Sequence, residues 1–491
     1  MEKKHITVIG AGFAGISAAA YLAKAGHNVT VVEKNEGPGG RARIFESEGY
    51  RFDMGPSWYW MPDTFDRFFN DFGFETSEFY ELKRLDPSYR VYFSESEKID
   101  LPAGESRVIQ LFDELDPGSG NRLKKFLDEA EYKYEVGIRE FVEKPGHSLF
   151  EFADLRVLNS LWRLDMLSSI AKNVKKVTSD PRLRQILEFP VLFLGAKPSK
   201  TPALYSLMNY ADISLGTWYP MGGMYEIVKA MTRVAEAQGV HFKYNTTVEK
   251  VIVDGDTANR VEGNDWHIST DGVIAACDYN HFEQEILTPE YRRYSKDYWN
   301  KQTLAPSCLL YYVGVDKKIP ELKHHNLFFD ADFSRHAREI YDHPSWPSDP
   351  LFYICSPSQT DNTVAPDGHE NLFILIPVAP GLDDTDEIRD KYFNVVMDRT
   401  ERTLRTKIRP HIDHYRAFGT SNFIEDYYSF KGNAYGLANT LRQTAFLKPK
   451  MKAKEISNLM YAGQLTTPGP GVPPAIISGR VSARELSKAL N

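Results

Sequence analysis

Three glycines and one acidic residue near the start of the chain have the types and spacing that a phosphate-binding turn requires. Gly10, Gly12 and Gly15 form a G-x-G-x-x-G pattern, and Glu33 follows Gly15 by 18 residues. The first glycine allows a tight turn, the second lets a pyrophosphate approach the backbone, and the third lets a helix pack closely on a strand. A carboxylate about 20 residues further on binds a ribose hydroxyl. This pattern predicts dinucleotide binding.

The alternative to dinucleotide binding is an ordinary strand–turn–helix in which the glycines occur by chance. The elements predicted around these residues decide between the two. Residues 6–9 predict an apolar strand, and the helical pattern after the turn ends at Gly26. Residues 29–32 predict a second strand that closes at Glu33. Strand, turn, helix, strand and acid in this order predict a βαβ unit. The backbone N–H groups at the start of its helix would hold the phosphate charge.

A second group of small residues favours FAD over NAD. Gly39 and Gly40 follow the acidic strand end after a short loop, Arg41 comes next, and residues 52–56 form another small-residue turn. Adjacent glycines let the chain pass close to a longer cofactor, and an arginine beside them can pair with its phosphates. A single NAD half-site needs none of these residues, although adjacent glycines alone would suggest a plain loop.

The composition restricts the class of protein. The chain has 491 residues, 42% of them hydrophobic and 26% charged, which suffices for two or three domains with a large core. The net charge of −8 argues against a nucleic-acid partner. Cys277, Cys308 and Cys355 are scattered, which predicts a reducing compartment rather than a disulfide framework. We expect no signal peptide and no membrane-spanning stretch, and hence a cytoplasmic protein.

Two regions have two interpretations each. The aromatic residues concentrated in 58–74 predict either a core helix beneath the cofactor domain or part of a wall for a long apolar substrate. Residues 158–177 keep apolar side chains at near-helical spacing, with basic residues such as Lys172 and Lys175 close by. This pattern predicts a buried helix with a solvated end, and a helix in a membrane interface is the alternative.

The second half of the chain returns to the pattern of a cofactor domain. Helices are predicted at 225–237 and 385–407, and strands at 240–244, 246–253, 267–276, 309–315, 372–378 and 459–462. After the last strand, the glycine- and proline-rich residues 463–474 lead into a helix predicted to begin at Ala475. A helix start beside a flavin ring stabilises negative charge on the reduced ring, and a surface loop is the alternative.

Few residues suggest acid, base or metal chemistry. His324 and His325 resemble metal ligands, but no third ligand stands at a metal spacing, so we expect an exposed polar loop and no metal. No Ser-His-Asp, Cys-His or paired-carboxylate constellation is recognisable in the sequence. The catalytic residues are therefore left unassigned.

Together these patterns resemble the bacterial phytoene desaturase family, in the branch that includes 1-hydroxycarotenoid 3,4-desaturases. The resemblance runs from end to end of the chain. Besides the N-terminal pattern, it rests on residues 53–57, 219–223, 357–361, 365–366, 433–436, 458–463 and 468–473. It implies an α/β fold with a Rossmann-like FAD-binding domain of the glutathione-reductase or amine-oxidase type, and an α+β substrate domain with a helical membrane-facing part.

The resemblance also implies which segments and residues serve the cofactor. The FAD-binding domain would comprise residues 1–74, 216–299 and 416–491, and the substrate domain residues 75–215 and 300–415. Val248 would approach the adenine through its backbone. The residues expected to bind FAD are Gly10, Gly12, Ala14, Gly15, Glu33, Lys34, Gly39, Gly40, Arg41, Met54, Gly55, Pro56, Ser57, Val248, Gly463, Gln464, Gly471, Val472 and Pro473.

The implied activity is FAD-dependent desaturation of a carotenoid at a CH–CH bond, with 1-hydroxycarotenoid 3,4-desaturation as the best match. The resemblance further implies peripheral attachment to the inner face of the cell membrane, and oxygen or a membrane quinone as electron acceptor. Desaturation of phytoene to lycopene is an alternative. Many phytoene desaturases have arginine at the position of Met221 and glycine at that of Pro474, which weighs against it.

Three further alternatives share the fold. A flavin amine oxidase often has glutamate where Gln464 stands. A non-enzymatic carrier of lipids or prenylated proteins would not need the intact glycine pattern. A saturase would run the reverse reaction, and its direction depends on redox poise rather than on sequence.

Overall fold

The computed structural model describes residues 3–138, 142–146, 165, 168–195, 197–440, 442–444 and 447–491. The strands are β1 (His5–Ile9), β2 (Asn28–Val32), β3 (Ile44–Ser47), β4 (Tyr50–Asp53), β5 (Leu82–Arg84), β6 (Tyr89–Tyr92), β7 (Lys98–Leu101), β8 (Trp218–Pro220), β9 (His241–Lys243), β10 (Lys250–Asp254), β11 (Thr257–Glu262), β12 (His267–Ser269), β13 (Gly272–Ala275), β14 (Ser307–Val315), β15 (His325–Phe328), β16 (Phe352–Cys355), β17 (Glu370–Val378), β18 (Ile412–Phe418) and β19 (Leu459–Tyr461). The helices are α1 (Phe13–Lys24), α2 (Pro62–Asp71), α3 (Glu105–Leu115), α4 (Ser119–Val136), α5 (Ile170–Val177), α6 (Pro181–Glu188), α7 (Leu207–Asn209), α8 (Tyr225–Ala237), α9 (Tyr279–His281), α10 (Lys296–Lys301), α11 (Phe333–Tyr341), α12 (Asp386–Leu404), α13 (Thr420–Tyr427) and α14 (Val472–Ala489).

A five-stranded parallel sheet carries the glycine-rich turn, with strand order β19-β13-β1-β2-β9. Strands β1, β2 and β13 are buried along nearly their whole length, as expected for a parallel sheet covered on both faces. Helices α1 and α14 pack side by side. Ser17 Oγ donates to the Ile476 carbonyl (2.8 Å), and a Cβ on Gly479 would lie 2.2 Å from the Ala14 carbonyl oxygen. The predicted α/β fold with a Rossmann-like sheet is confirmed.

The other large sheet of the molecule has seven strands, in the order β18-β14-β17-β16-β15-β6-β7. Its pairs are antiparallel except β15 with β6. Along β14, Leu309, Tyr311 and Val313 pack in the apolar cluster that includes residues of α12. The alternate residues Leu310 and Tyr312 pack in the large cluster that extends over residues 50–61 and α3 to α7. The sheet therefore separates two cores, because successive strand residues point to opposite faces.

The strands of both sheets come from distant parts of the chain. In the parallel sheet, β1 and β2 lie in the predicted segment 1–74, β9 and β13 in 216–299, and β19 in 416–491. In the other sheet, β18 crosses the predicted boundary at 415/416. The domain division stays a prediction, and we propose to place this boundary after Phe418.

The region between β7 and β8 is mainly helical where it is described. The predicted helix over 158–177 lies partly outside the described residues, and α5 begins only at Ile170 because extended Ser169 caps it by accepting from the Lys172 N–H. In α5, Ile170, Val174 and Val177 are buried, whereas Lys172 and Lys175 are exposed. The interpretation as a buried face with a solvated end holds for α5. No helix within the described ranges is long and apolar enough to cross a bilayer.

Candidate functional site

The glycine-rich turn lies between the carboxyl end of β1 and the start of α1. Gly10 has φ +103°, which favours glycine. A Cβ on Gly15 would lie 1.9 Å from the Gly10 carbonyl oxygen, so only glycine allows the helix this close to the turn. Gly12 caps α1 without a side-chain hydrogen bond, and Gly12, Phe13 and Ala14 line a large cavity. The first N–H groups of the helix therefore face a space in which they can bind an anion.

Glu33 holds this turn in place. Its Oε2 accepts from the Ala11 N–H (2.8 Å) and its Oε1 from the Asn35 N–H (2.9 Å). The side chain is buried and also lines the cavity. Each carboxylate oxygen has a second lone pair, so these hydrogen bonds leave Glu33 able to accept from a ribose hydroxyl, which stays a prediction.

The second glycine pair packs directly on the first turn. The Gly39 N–H donates to the Ala11 carbonyl (2.8 Å), and a Cβ on Gly40 would lie 3.3 Å from Gly12 Cα. Gly39 and Gly40 both have positive φ. The two loops thus form one glycine-lined surface to which a pyrophosphate can come close.

Arg41 is a partly buried cation of this surface. Its Nη2 donates to Ser429 Oγ and to the Asn433 carbonyl (3.4 Å), and its Nε has no hydrogen-bond partner among the described residues. Burial lowers the pKa of the guanidinium, and the Asp278 carboxylate opposes this shift. Because Arg41 lines the cavity with an unpaired N–H, the site fits a cofactor that carries phosphates.

The C-terminal loop brings a second helix start to the same cavity. Helix α14 begins at Val472, three residues before the predicted start at Ala475, because Pro473 and Pro474 occupy its first turn, where no backbone N–H is required. The residues from Pro470 to Ala475 line the cavity. Two helix N-termini, those of α1 and α14, therefore point their positive ends towards one cavity.

The cavity has a volume of about 480 Å³ and gathers nearly all predicted FAD residues. Gly15 and Met54 do not line it. Val248 does so from a loop, since β10 begins only at Lys250 and not at residue 246 as predicted. The predicted residues that line it are Gly10, Gly12, Ala14, Glu33, Lys34, Gly39, Gly40, Arg41, Gly55, Pro56, Ser57, Val248, Gly463, Gln464, Gly471, Val472 and Pro473. We call these residues the glycine-loop part of the cavity.

Other residues of this part were missed by the sequence analysis. Ala276, Cys277 and Asp278 follow β13 directly and line the cavity beside Gly10. Strands β13 and β2 flank β1 on opposite sides. Ligands in open parallel sheets bind at the carboxyl ends of strands where the order reverses, so the end of the predicted strand 267–276 was the available signal.

The other part of the cavity is apolar. Its walls come mainly from the seven-stranded sheet and the helices around it. The residues that we call the apolar part are Trp58, Trp60, Phe189, Met208, Leu310, Leu327, Phe329, Phe333, Ala337, Ile340, Leu351, Phe352, Phe373 and Leu375. For residues 58–74, a core helix and a wall for an apolar substrate were both predicted, and each prediction holds for some of the aromatic residues. Trp58 and Trp60 line the cavity, whereas Phe65 and Phe68 pack in the core beneath the parallel sheet.

Charged groups are confined to the glycine-loop part. Glu33, Asp278 and Asp426 are the carboxylates among the described lining residues. Beside the apolar part, His336 is satisfied, since one ring nitrogen lies 2.8 Å from the Pro377 carbonyl and the other accepts from the Leu351 N–H (3.1 Å). Burial lowers its pKa, so the ring is neutral at physiological pH. The apolar part suits a long uncharged ligand.

The expectation of an exposed loop at His324 and His325 is wrong. Both side chains are buried at the start of β15, and burial lowers the pKa of His324 to about 3 and that of His325 well below its usual value. The thiol of Cys355 lies beside them. Sequence spacing missed this third residue because strand pairing, rather than proximity along the chain, brings it close.

The fold and the cavity define a flavin-dependent oxidoreductase: a parallel sheet with two glycine-rich loops for a dinucleotide, joined to an apolar chamber. A family model described as flavin containing amine oxidoreductase matches residues 13–487. The chain belongs to this family, and FAD is its cofactor.

The similar proteins include carotenoid desaturases and an amine oxidase. A carotenoid 3,4-desaturase of Haloarcula japonica is 41% identical over 489 residues, which cover 99% of this chain and 98% of that protein. A zeta-carotene-forming phytoene desaturase of Myxococcus xanthus is 29% identical, with 99% and 94% covered. A structure of putrescine oxidase with putrescine shares the fold with a TM-score of 0.62 at 16% identity, and 99% of each chain is covered.

Proposed function

We propose that this chain is an FAD-dependent carotenoid desaturase, and that it introduces the 3,4 double bond of a 1-hydroxylated carotenoid. The observation that carries the proposal is the apolar part of the cavity, which opens onto the glycine-loop part without any carboxylate of its own among the described residues. A polyene offers almost no polar atoms, so an enzyme must recognise it by shape and apolar contact. The likeness to the 3,4-desaturase of Haloarcula japonica supports the position of the double bond.

The glycine-loop part would hold FAD. In our proposal the N–H groups at the starts of α1 and α14 and the guanidinium of Arg41 bind its negatively charged groups, and Glu33 binds a ribose hydroxyl. When bound, the flavin accepts the hydride that leaves the substrate. Gly463 and Gln464, which follow β19 and line the cavity, would lie against the flavin ring.

The apolar part would position the substrate. Trp58, Trp60 and Phe189 form a continuous aromatic group, with ring centroids 5.2 to 6.2 Å apart. Such rigid rings would hold one carbon pair at the reacting position, which is how positioning contributes to the rate. Loss of the hydride leaves a positive charge spread over many carbons of the polyene, so a weak base such as a water molecule suffices to take the proton of the neighbouring carbon, and the electrons of that C–H bond form the new double bond. This is consistent with an apolar part that has no carboxylate among the described residues.

The choice of carotenoid rests on two positions that differ from many phytoene desaturases and on one relative. Pro474 lines the cavity in the first turn of α14, whereas Met221 is not among its lining residues. We therefore base the preference over phytoene on Pro474 and on the 3,4-desaturase of Haloarcula japonica, and the 1-hydroxyl group on the resemblance of the sequence alone.

We further propose peripheral attachment to the inner face of the cell membrane and an electron acceptor that is either oxygen or a membrane quinone. A carotenoid resides in the lipid phase, so an enzyme that acts on it must draw it from a bilayer. The exposed Lys172, Lys175 and Lys176 on α5 are basic groups that can contact anionic lipid headgroups.

The test is a pigment profile. Cells that supply either phytoene or a 1-hydroxylated carotenoid express the chain, and their extracts are compared by absorption spectrum and mass. We expect a compound that is two hydrogens lighter and has a longer conjugated system, formed from the hydroxylated carotenoid alone. Conversion of phytoene to lycopene would identify a phytoene desaturase. Inactivity on both, with amine-dependent peroxide release, would support the amine oxidase alternative.

A further inference from the structure

A second group of polar side chains lies away from the glycine loops, at the meeting point of β15 and β16. His324 and His325 stand at the start of β15, and Cys355 ends β16 opposite His325 in the strand register. All three side chains are buried. One candidate ligand atom from each lies within 4.8 Å of the other two. Two imidazoles and a thiolate form a nitrogen and sulfur donor set of the kind that binds zinc.

The hydrogen bonds of the two imidazoles leave one nitrogen of each ring available. Nδ1 of His325 lies 2.6 Å from the Tyr353 hydroxyl, which itself donates to Ser57 Oγ (3.0 Å). Nδ1 of His324 lies 2.9 Å from Thr360 Oγ1. Neither Nε2 atom has a hydrogen-bond partner among the described residues. An oxygen partner on one ring nitrogen, with the other left bare, is how proteins orient histidines that bind metals.

Native proteins rarely bury polar atoms without a partner, so these two nitrogens are candidates for binding a ligand. A small cavity of about 20 Å³ adjoins His324 and Cys355, and Asp53 also lines it. This volume is sufficient for one small ligand of the size of a water molecule. Asp53 is not among the described residues whose ligand atoms cluster with the two histidines, so it does not supply the remaining metal ligand.

We propose that His324, His325 and Cys355 bind one zinc ion, with a water molecule as the fourth ligand. Zinc–nitrogen bonds of about 2.0–2.1 Å and a zinc–sulfur bond of about 2.3 Å require the ligand atoms to move together by about 1 Å. The ion links β15 to β16 behind the wall of the large cavity. Trp58, which lines that cavity, stacks on the His325 ring with centroids 3.9 Å apart. The role of the ion is to hold this wall in place.

The experiment measures the metal content of untagged, full-length, FAD-loaded protein after equilibration with zinc and dialysis. We expect one zinc per chain, and X-ray absorption at the zinc edge with nitrogen at about 2.0 Å and sulfur at about 2.3 Å. Cys355→Ser removes the sulfur contribution, and His325→Gln removes most of the bound zinc. Cys308→Ser is the matched control, because Cys308 is equally buried but lies outside the cluster. Bound flavin reports that each variant is folded.

Wild-type protein without stoichiometric zinc overturns the proposal, and this measurement depends on no variant. The proposal is also overturned if Cys355→Ser and His325→Gln both retain zinc with an unchanged X-ray absorption spectrum, since the ion then binds elsewhere. Either result leaves the desaturase proposal intact, because hydride transfer to the flavin does not use the ion.

Discussion

The glycine-loop part and the apolar part of one cavity are built in opposite ways. In the first, backbone atoms and a few fixed residue types approach the cofactor, and a single methyl group on Gly15 would collide with the Gly10 carbonyl. In the second, apolar side chains from many elements supply shape. From this difference we expect the glycine-loop part to tolerate almost no substitution at its turns. In the apolar part, we expect activity to depend on the volume of the side chains.

The largest expected effect is that of Gly15→Ala. Its Cβ would lie 1.9 Å from the Gly10 carbonyl oxygen, so we expect destabilisation of more than about 4 kcal/mol and no soluble flavoprotein. The measurements are the yield of soluble protein and the flavin absorbance per chain. Gly12→Ala is the control: its Cβ meets no atom of the described residues within 4 Å, so the apoprotein should keep its Tm and lose only FAD affinity. A Gly15→Ala protein with normal flavin content would contradict this account.

Arg41→Gln should have the next largest effect. Charge-assisted hydrogen bonds contribute about 1.5–3 kcal/mol, so the Kd for FAD should rise about 10- to 100-fold in titrations of the apoprotein. Arg43→Gln is the matched control, because Arg43 pairs with Asp426 and is not among the cavity-lining residues. Equal losses in both variants would mean that Arg41 acts through the packing of its loop and not through the cofactor.

Asp212 tests the electrostatics of the helical region between β7 and β8. Burial raises the pKa of its carboxyl to about 7, against the hydrogen bonds from the Tyr89 hydroxyl (2.8 Å) and Thr217 Oγ1 (3.1 Å). The protonated carboxyl therefore stabilises the folded state. Because the folded pKa of about 7 exceeds the unfolded value of about 3.9, this contribution to the free energy of unfolding is complete below pH 3.9 and is lost as the pH rises through 7.

Asp212→Asn removes this titration. Between pH 5 and pH 8 the wild-type free energy of unfolding should fall by on the order of 2 kcal/mol relative to the variant, as measured by denaturant titration at each pH. A constant difference between the two proteins over this range would show that the carboxyl titrates normally.

The smallest expected effect comes from filling the apolar part. Ala337 on α11 lines it, and Ala337→Phe should lower kcat/KM for the carotenoid about tenfold, roughly 1.4 kcal/mol, with unchanged FAD content. Ala337→Ser keeps the volume and serves as the control. If Ala337→Phe lost flavin rather than turnover, the two parts of the cavity would not be separable.

Sequence patterns predicted the glycine-rich turns and several elements of both sheets, but not which side chains form the apolar part of the cavity. The turn at Gly10 to Gly15, helix α8 and strand β14 were all predicted close to their observed bounds, because local periodicity and glycine spacing specify them. The start of α14 was placed three residues late, since the sequence does not tell whether Pro473 and Pro474 precede the helix or occupy its first turn.

The sequence by itself determined what depends on local rules: the βαβ unit, the dinucleotide pattern and the family. Only the tertiary structure decided which aromatic residues line the cavity and which fill the core. It also brought Cys277 and Asp278 beside the first turn, and buried His325 against Cys355. These outcomes depend on strand pairing between residues far apart in the chain. Local sequence does not encode such pairing, because it is settled by which distant apolar surfaces are buried together.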